Sequence, residues 1–219
     1  MKVSVVIPSH GRSSALAPTV APLLTDPAVH EIIVVADDDP AVRPAVEALN
    51  DPRVRVIEVC VRHQNAARQA GLEAALGDVV LFLDDDFVAE PGMVSGHAAH
   101  HVIHGRVVLG YMPVPDRLLR GTTRVAPRCY SRSYESQAEM WLRHPDRILL
   151  TLWGGNISMR RSDALRVGIY NPNFTGRYFE DWELGLRCHA ARLTGLFDPA
   201  LRGAHHYRRG VRAWLREGR

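Results

Sequence analysis

The chain has 219 residues, of which 46% are hydrophobic and 23% charged, and its formal net charge is +3. This balance is typical of a globular domain with a buried core. No apolar run approaches the ~18 residues that a membrane span needs, and a strand pattern over Met1–Ile7 leads directly to Pro8. We therefore expect neither a transmembrane segment nor a signal peptide, and a cytoplasmic location.

Cysteine and arginine usage narrows the classes of function. Cys60, Cys129 and Cys188 have no CxxC spacing, which predicts free thiols and argues against zinc. The basic residues are almost all arginine and concentrate in the segment Arg202–Arg219. This segment is either a solvated tail or a surface for anionic acceptors, phosphates or membrane headgroups, so peripheral membrane contact stays open. Nucleic acid is not expected, because no basic stretch is interleaved with stacking aromatic residues.

Strand and helix patterns alternate over residues 1–110. The predicted elements are strand Val3–Ile7, helix Ser13–Leu24, strand Glu31–Ala36, helix Ala41–Leu49, strand Val54–Val59, helix Asn65–Leu76 and strand Val79–Leu83. Pro18 and Pro22 predict a break in the first helix, and Gly77 predicts the end of the third. Strands separated by such helices form βαβ units, which predicts an α/β fold with a mostly parallel central sheet flanked by helices.

The pattern changes after residue 110. Prolines punctuate residues 111–150, and the polar stretch Arg117–Arg132 predicts a long irregular connection. The elements predicted beyond it are helix Ser136–Arg143, strand Trp153–Arg161, helix Glu180–Arg192, strand Leu201–His205 and helix Val211–Glu217. Because the sequence has no internal repeat, we expect residues 1–219 to form a single domain.

Polar residues follow the predicted strands at the point where each strand ends. They are Ser9, His10 and Arg12 after the first strand, Asp37 and Asp38 after the second, and Asp84, Asp85 and Asp86 after the fourth. Ligands bind at the carboxyl ends of parallel strands, so we expect these side chains at one edge of the sheet. The Asp84–Asp86 run suits Mg²⁺ or Mn²⁺ with diphosphate oxygens completing the coordination; a solvated acidic turn is the alternative.

Two further positions each have both a structural and a functional interpretation. Asp37 and the aspartates after it either form a turn before Pro40 or bond the polar edge of a nucleotide base. Arg68, in the predicted helix Asn65–Leu76, is either a surface residue or a partner of the base or a phosphate.

The last third of the chain contributes candidates of its own. Glu180 and Asp181 begin a predicted helix, where they either complement the helix dipole or supply a general base with a fixed direction. His205 or His206 is either structural or the third metal ligand, with His205 preferred. Before the helix, Gly176 and the aromatic pair Tyr178–Phe179 could form part of an acceptor wall.

Taken together and in this order, these stretches resemble family 2 glycosyltransferases of the GT-A fold. The matching stretches cover nearly the whole chain: Val3–His10, Glu31–Asp38, Ala67–Gly71, Gly77–Asp78, Phe82–Asp86, Gly154–Arg161 and Glu180–Arg187. The resemblance implies a GT-A domain with a Rossmann-like nucleotide-sugar-binding half over residues 1–110. A smaller acceptor-side half over residues 111–219 would carry the catalytic base.

The resemblance also implies an activity and its residues. The expected reaction is inverting transfer from a nucleoside-diphosphate sugar, with a UDP-sugar favoured, to an acceptor hydroxyl, and the expected cofactor is Mn²⁺ or Mg²⁺. The implied roles are Pro8, Asp37 and Arg68 around the base, Asp84 and Asp85 on the ribose and phosphates, Asp86 with Asp84 and His205 on the metal, Asp181 as the base, and Gly155 and Asn156 near the donor sugar and acceptor. We also expect His10, Arg12 and Glu180 to contact the donor.

The sequence departs from the family pattern in two places. The family usually has Asn where His10-Gly11 or Gln69 stand here, and Asp-Asp-Gly-Ser where this chain has Asp37–Pro40. The chain is also short for the family, so its acceptor side is minimal or shared with a partner, and a homodimer stays open. Three alternatives remain: a retaining GT-A transferase, a sugar-phosphate nucleotidyltransferase and a non-catalytic nucleotide-binding module.

Overall fold

A mixed eight-stranded sheet forms the centre of the computed structural model, which describes residues 1–120, 125–174 and 179–207. The strands are β1 (Val3–Ser9), β2 (Val29–Asp37), β3 (Val54–Val59), β4 (Val79–Leu83), β5 (Phe87–Ala89), β6 (Arg106–Tyr111), β7 (Asn156–Arg160) and β8 (Thr194–His205). Their order across the sheet is β3-β2-β1-β4-β7-β6-β8-β5.

Parallel pairing dominates the sheet. β1 pairs in parallel with β2 and β4, β2 with β3, and β6 with β8. β7 runs antiparallel to β4 and β6, and β5 runs antiparallel to β8. The prediction of a mostly parallel α/β sheet is therefore confirmed, with antiparallel pairs in its second half.

Helices cover the sheet. They are α1 (Leu16–Leu23), α2 (Val42–Glu47), α3 (Gln64–Ala74), α4 (Met93–His100), α5 (Asp116–Leu119), α6 (Val125–Arg143), α7 (Arg161–Val167) and α8 (Glu180–Ala190). Short 3₁₀ turns occupy Ser13–Ala15, Pro145–Arg147 and Leu149–Thr151. Among the described residues, no helix has the length and apolar character needed to cross a lipid bilayer.

The core lies where α3 approaches the buried strands. β1 and β4 are buried along their whole length, as expected for strands covered on both faces. α3 comes so near that a Cβ on Gly71 would collide with Val6. Asn65, Arg68 and Leu72, spaced along one helical face, are buried against the sheet. This close approach brings the polar side chains of α3 to the ends of β1 and β4.

Several predicted elements differ from the observed ones. The expected break in the first helix is wrong, because Pro18 lies in the first turn of α1, where no N–H is needed, and Pro22 lies in its last turn. The irregular connection over Arg117–Arg132 is also wrong, since α5 and the 19-residue α6 occupy most of it. The predicted strand to Arg161 ends one residue earlier, where α7 begins. The predicted helix Val211–Glu217 lies outside the described residues.

Candidate active site

The ends of β1, β2 and β4 meet at one edge of the sheet, which we call the rim. His10 Nδ1 donates to the carbonyl oxygen of Asp37 over 2.6 Å. Arg12 NH1 lies 3.1 Å from Asp85 Oδ1 and 2.6 Å from Asp86 Oδ2. The predicted gathering of these strand-end residues is therefore confirmed.

Asp84, Asp86 and His205 form a cluster at the rim. One ligand atom from each residue lies within 4.8 Å of the others. His205 Nε2 is 3.1 Å from Asp86 Oδ1. β8 brings His205 there because it pairs antiparallel with β5, where His205 stands opposite Phe87. A backbone bond of 2.7 Å from His206 N to Asp86 O continues this contact.

The cluster has the chemistry of a divalent-cation site. Two carboxylates and one imidazole match the oxygen and nitrogen ligands that Mn²⁺ accepts, and Mg²⁺ favours the carboxylates. His205 is only 4% exposed, and its Nδ1 is buried without a hydrogen-bond partner among the described residues. The donor set thus fits the expected metal.

Asp84 is oriented by groups on both sides. Its Oδ1 accepts hydrogen bonds of 2.9 Å from Gln64 Nε2 and from Arg68 NH2. Its Oδ2 faces Gly155, which has a φ of +105°, and a Cβ there would lie 2.5 Å from that oxygen. Only glycine combines this backbone conformation with the space that the carboxylate needs.

Asp85 lies elsewhere than the resemblance implies. Its Oδ2 accepts from Ser9 Oγ at 2.9 Å, and its Oδ1 contacts Arg12. Thr19 Oγ1 bonds its backbone oxygen, and the residue is 6% exposed. Burial raises the pKa of Asp85 to about 6, against the opposing charge of Arg12. The carboxylate therefore anchors the turn after β4, because Ser9 and Arg12 occupy its two oxygens.

Asp181 projects from the first turn of α8 toward the rim. Its Oδ2 accepts a 2.7 Å bond from Gly154 N, and its Oδ1 lies 3.3 Å from Arg68 NH1. The side chain keeps 28% of its surface exposed. Burial raises the pKa of Asp181, partly offset by Arg68 and by the Gly154 N–H. Burial likewise raises the pKa of the neighbouring Glu180.

Arg68 lies between two carboxylates, and the contact with the donor base that the resemblance implies stays a prediction. It contacts Asn65, Asp84 and Asp181 through its two terminal nitrogens. The reason is its position on the buried face of α3, which directs the side chain toward the ends of the central strands.

The part of the rim predicted to contact the nucleotide base consists of turns joined by hydrogen bonds. The Asp37 carboxylate accepts three backbone N–H bonds, from Val61, Arg62 and His63, and so fixes the turn before α3. Pro8 is buried within β1, and His10 is exposed beside it. Asp39 forms the expected turn, accepting from Ala41 N at 3.0 Å.

Asn156 is turned away from the rim. It is 1% exposed; its Oδ1 lies 2.9 Å from His97 Nε2, and its Nδ2 donates to Leu201 O over 3.0 Å. Its side chain therefore joins β7 to α4 and β8 inside the fold. The expected contact of this side chain with the donor sugar or acceptor does not fit its placement.

Sequence reasoning missed two contributors. Gln64, the first residue of α3, orients Asp84, and Gly154 bonds Asp181. The Gly-Gly pair before β7 was the available sign for Gly154, whereas nothing in the sequence singles out Gln64. The acceptor-wall residues Gly176 and Tyr178, and the terminal arginines beyond residue 207, lie outside the described residues, while Phe179 is 61% exposed.

The fold is that of the GT-A class, and solved glycosyltransferases share it. The mannosyltransferase PcManGT from Pyrobaculum calidifontis, solved with GDP-Man and Mn²⁺, matches 99% of this chain and 60% of its own at a TM-score of 0.69 and 16% identity. S. aureus TarS with UDP-GlcNAc matches 96% of this chain and 60% of its own at 0.68 and 18% identity. At these identities the likeness shows the fold.

The chain belongs to glycosyl transferase family 2, whose model matches residues 4–168. It is 29% identical over 217 residues to validoxylamine A glucosyltransferase of Streptomyces hygroscopicus subsp. jinggangensis, covering 86% of this chain and 51% of that protein. It is 31% identical over 202 residues to a glucosyl-dolichyl phosphate glucuronosyltransferase of Haloferax volcanii, covering 81% and 58%. The chain thus spans about half the length of these relatives.

Proposed function

We propose that this glycosyltransferase moves a sugar from a nucleoside-diphosphate donor, with a UDP-sugar favoured, to an acceptor hydroxyl with inversion. The observation that carries the proposal is the cluster of Asp84, Asp86 and His205, within 4.8 Å, on the same rim as Asp181. The two are joined through Arg68, which bonds both Asp84 and Asp181. A cation site beside a helix-borne carboxylate supplies both functions that such a transfer requires.

The residues divide the chemistry between them. Mn²⁺ or Mg²⁺, when bound by Asp84, Asp86 and His205, would neutralise charge on the diphosphate leaving group. Asp181 accepts the proton of the acceptor hydroxyl while that oxygen bonds to the anomeric carbon, and the diphosphate leaves from the opposite face. Its raised pKa makes Asp181 a stronger base than an exposed aspartate. Gly154 N–H and Arg68 fix its direction.

The donor base is assigned to the turns at the ends of β1, β2 and β3. Pro8 and His10 would form one wall, and the turn over 61–63 that Asp37 holds would form the other. The solved relatives with UDP-GlcNAc and GDP-Man support a nucleotide donor as such. A thermal-shift panel of UDP-, GDP-, dTDP- and ADP-sugars with Mn²⁺ identifies the base.

Replacing Asp181, the proposed catalytic base, tests the mechanism. Asp181→Asn should lower the rate of sugar transfer at least about 100-fold, the size typical of a lost general base, with donor affinity unchanged. Glu183→Gln is the matched control on α8: Glu183 bonds Arg187 and Asn171, so transfer should persist. Near-normal turnover of Asp181→Asn would refute the assignment. Proton NMR of the first product decides inversion, since a retained anomeric configuration would rule out single displacement.

A second experiment tests the metal. Asp86→Ala should abolish Mn²⁺-dependent binding of the donor, measured by calorimetry with and without the ion. Unchanged donor affinity in Asp86→Ala would contradict the proposed metal site. Asp163→Ala, which removes a carboxylate that pairs with Arg166 on α7 at 2.9 Å, serves as the charge-matched control.

A further inference from the structure

Arg68 is the only side chain among the described residues whose guanidinium joins the cation cluster to the base. NH2 lies 2.9 Å from Asp84 Oδ1, and NH1 lies 3.3 Å from Asp181 Oδ1. NH1 also donates to Asn65 Oδ1 over 2.9 Å, which fixes the plane of the guanidinium group. The side chain is 4% exposed, so water contributes little to solvating its charge.

The fold makes room for this bridge. A Cβ on Gly154 would lie 2.9 Å from Arg68 NH1 and 2.7 Å from Asp181 Oδ1. Any larger residue before Gly155 would therefore push the guanidinium and the carboxylate apart. One positive charge is held in contact with two carboxylates, each of which has a separate task in the proposed reaction.

We propose that Arg68 is a positioning residue whose one guanidinium holds the Asp181 base ionised and aimed while it turns Asp84 Oδ2 toward the cation. This inference rests on the proposed function for its purpose, although the bridge itself is a geometric fact. Arg68 and Gln64 both bond Oδ1 of Asp84, which leaves Oδ2 as the oxygen that neither donor occupies. Lysine cannot replace it fully, because a single ammonium lacks the fork that reaches both carboxylates.

The charges around Asp181 determine the direction in which each substitution changes proton binding at its carboxylate. The groups that face it are Arg68 from α3, Asp84 after β4 and Glu180 on its own helix, together with the Gly154 N–H. An opposite charge in contact favours the ionised carboxylate, and a like charge disfavours it. Removing Arg68 must therefore strengthen proton binding at Asp181, whereas removing the charge of Asp84 must weaken it.

The test measures the titration of Asp181 directly. The metal-free protein is labelled with ¹³C at aspartate Cγ, and the Asp181 resonance is assigned by its loss in Asp181→Asn. In Arg68→Gln the titration midpoint should rise by about one pH unit or more, a tenfold gain in proton affinity. It should rise less in Arg68→Lys and fall in Asp84→Asn. Arg55→Gln is the control: Arg55 pairs with buried Glu31 at 2.9 Å and bonds the far end of α3.

The outcomes separate the possibilities. An unchanged midpoint in Arg68→Gln, or shifts of the same sign in Arg68→Gln and Asp84→Asn, would overturn the inference. If Arg68→Gln does not fold, the fall in Asp84→Asn and the smaller rise in Arg68→Lys decide it alone. Because no donor or acceptor is present, opposite shifts support the bridge even if no sugar transfer is found. Where transfer is found, the acid limb of its pH profile must move with the midpoint.

Discussion

At the scale of single residues, two adjacent glycines decide whether the rim can form. Gly154 leaves space for Asp181 and Arg68, and Gly155 leaves space for Asp84. From the sequence, this pair was placed within the predicted strand Trp153–Arg161 and, through the resemblance, Gly155 was placed near the donor sugar. The distances show that both positions need glycine, because a side chain at either one would collide with the polar groups of the rim.

Gly155→Ala should disable the cation site. The new Cβ would lie 2.5 Å from Asp84 Oδ2 and 2.9 Å from Met112 Cε, at a φ of +105°. We expect at least a tenfold loss of Mn²⁺ affinity and about 1–3 kcal/mol of lost stability. Calorimetry with Mn²⁺ and chemical denaturation measure the two effects.

Gly92→Ala provides the control for that change. Gly92 also has a positive φ, +80°, but no atom lies within 4 Å of its added Cβ. It should therefore lose a similar amount of stability and keep its Mn²⁺ affinity. Equal Mn²⁺ binding by both variants would show that crowding of Asp84 does not matter.

At the scale of elements, regular patterns were predicted well and exceptions poorly. β3 and β4 were predicted at their observed bounds. β4 is a continuous apolar run of the kind that identifies a buried strand, whereas β3 includes Arg55 and Glu58 and is only partly buried. α6 was predicted only over its C-terminal part, since Pro127 and a polar stretch hid its start. Pro127 lies in the first turn, where its missing N–H costs nothing. Sequence patterns cannot distinguish such a proline from one that ends a helix.

A buried polar network between α4 and β7 was invisible in the sequence. His97 bonds Ser158 and Asn156, and His101 bonds Ser158 as well. His97 has no exposed surface, and burial lowers the pKa of His97 to about 3 and that of His101 to about 4. Both histidines are therefore neutral in the fold, and their hydrogen bonds hold Asn156 inside the molecule.

This network should make the fold acid-sensitive. In the unfolded chain His97 takes up a proton near its ordinary pKa of 6.5, whereas in the fold it stays neutral to about pH 3. Stability is therefore present at pH 7 and lost as the pH falls below 6.5, by about 2 kcal/mol at pH 5 for His97 alone. Urea denaturation should show a steeper slope in the wild type than in His97→Gln, where His101 alone still contributes.

The exposed His104 supplies the control for that measurement. His104→Gln, in the loop after α4, should keep the wild-type slope. Both variants replace one histidine by glutamine, so the difference between their slopes isolates the buried imidazole from the exposed one. A wild-type slope in His97→Gln would mean that another group causes the acid sensitivity.

At the scale of the whole molecule, the rim combines two kinds of strand pairing. The βαβ pattern predicted that His10, Asp37 and Asp84 would meet, because parallel strands end at one edge. Gly155 and His205 reach the same edge through antiparallel pairs, β7 with β4 and β8 with β5. Residue spacing alone gives no such pairing, so Gly155 was reached only through the family resemblance, and His205 only as the preferred one of two adjacent histidines.

A bound cation would connect parts of the chain that lie far apart in sequence. Asp84 and Asp86 follow β4, whereas His205 ends β8, the last strand of the sheet. Since such an ion would bind this assembled cluster and not the unfolded chain, it would stabilise the fold as a whole. At an Mn²⁺ concentration of 100 times Kd the gain is about 2.7 kcal/mol, which raises Tm by roughly 5–10 °C in a domain of this size.

The two adjacent histidines provide a test of this prediction and its control. His205→Ala should remove most of the Mn²⁺-dependent rise in Tm, because it deletes one of the three ligands of the cluster. His206→Ala should keep the rise, since the His206 side chain lies 3.0 Å from Arg117 NH2 and its backbone N–H, which the substitution retains, bonds Asp86 O. Calorimetric scans with Mn²⁺ and with EDTA compare the two. If the Mn²⁺-dependent rise in Tm is retained in His205→Ala and lost in His206→Ala, the third ligand is His206 and not His205. The ion would then be held by the residue that follows β8.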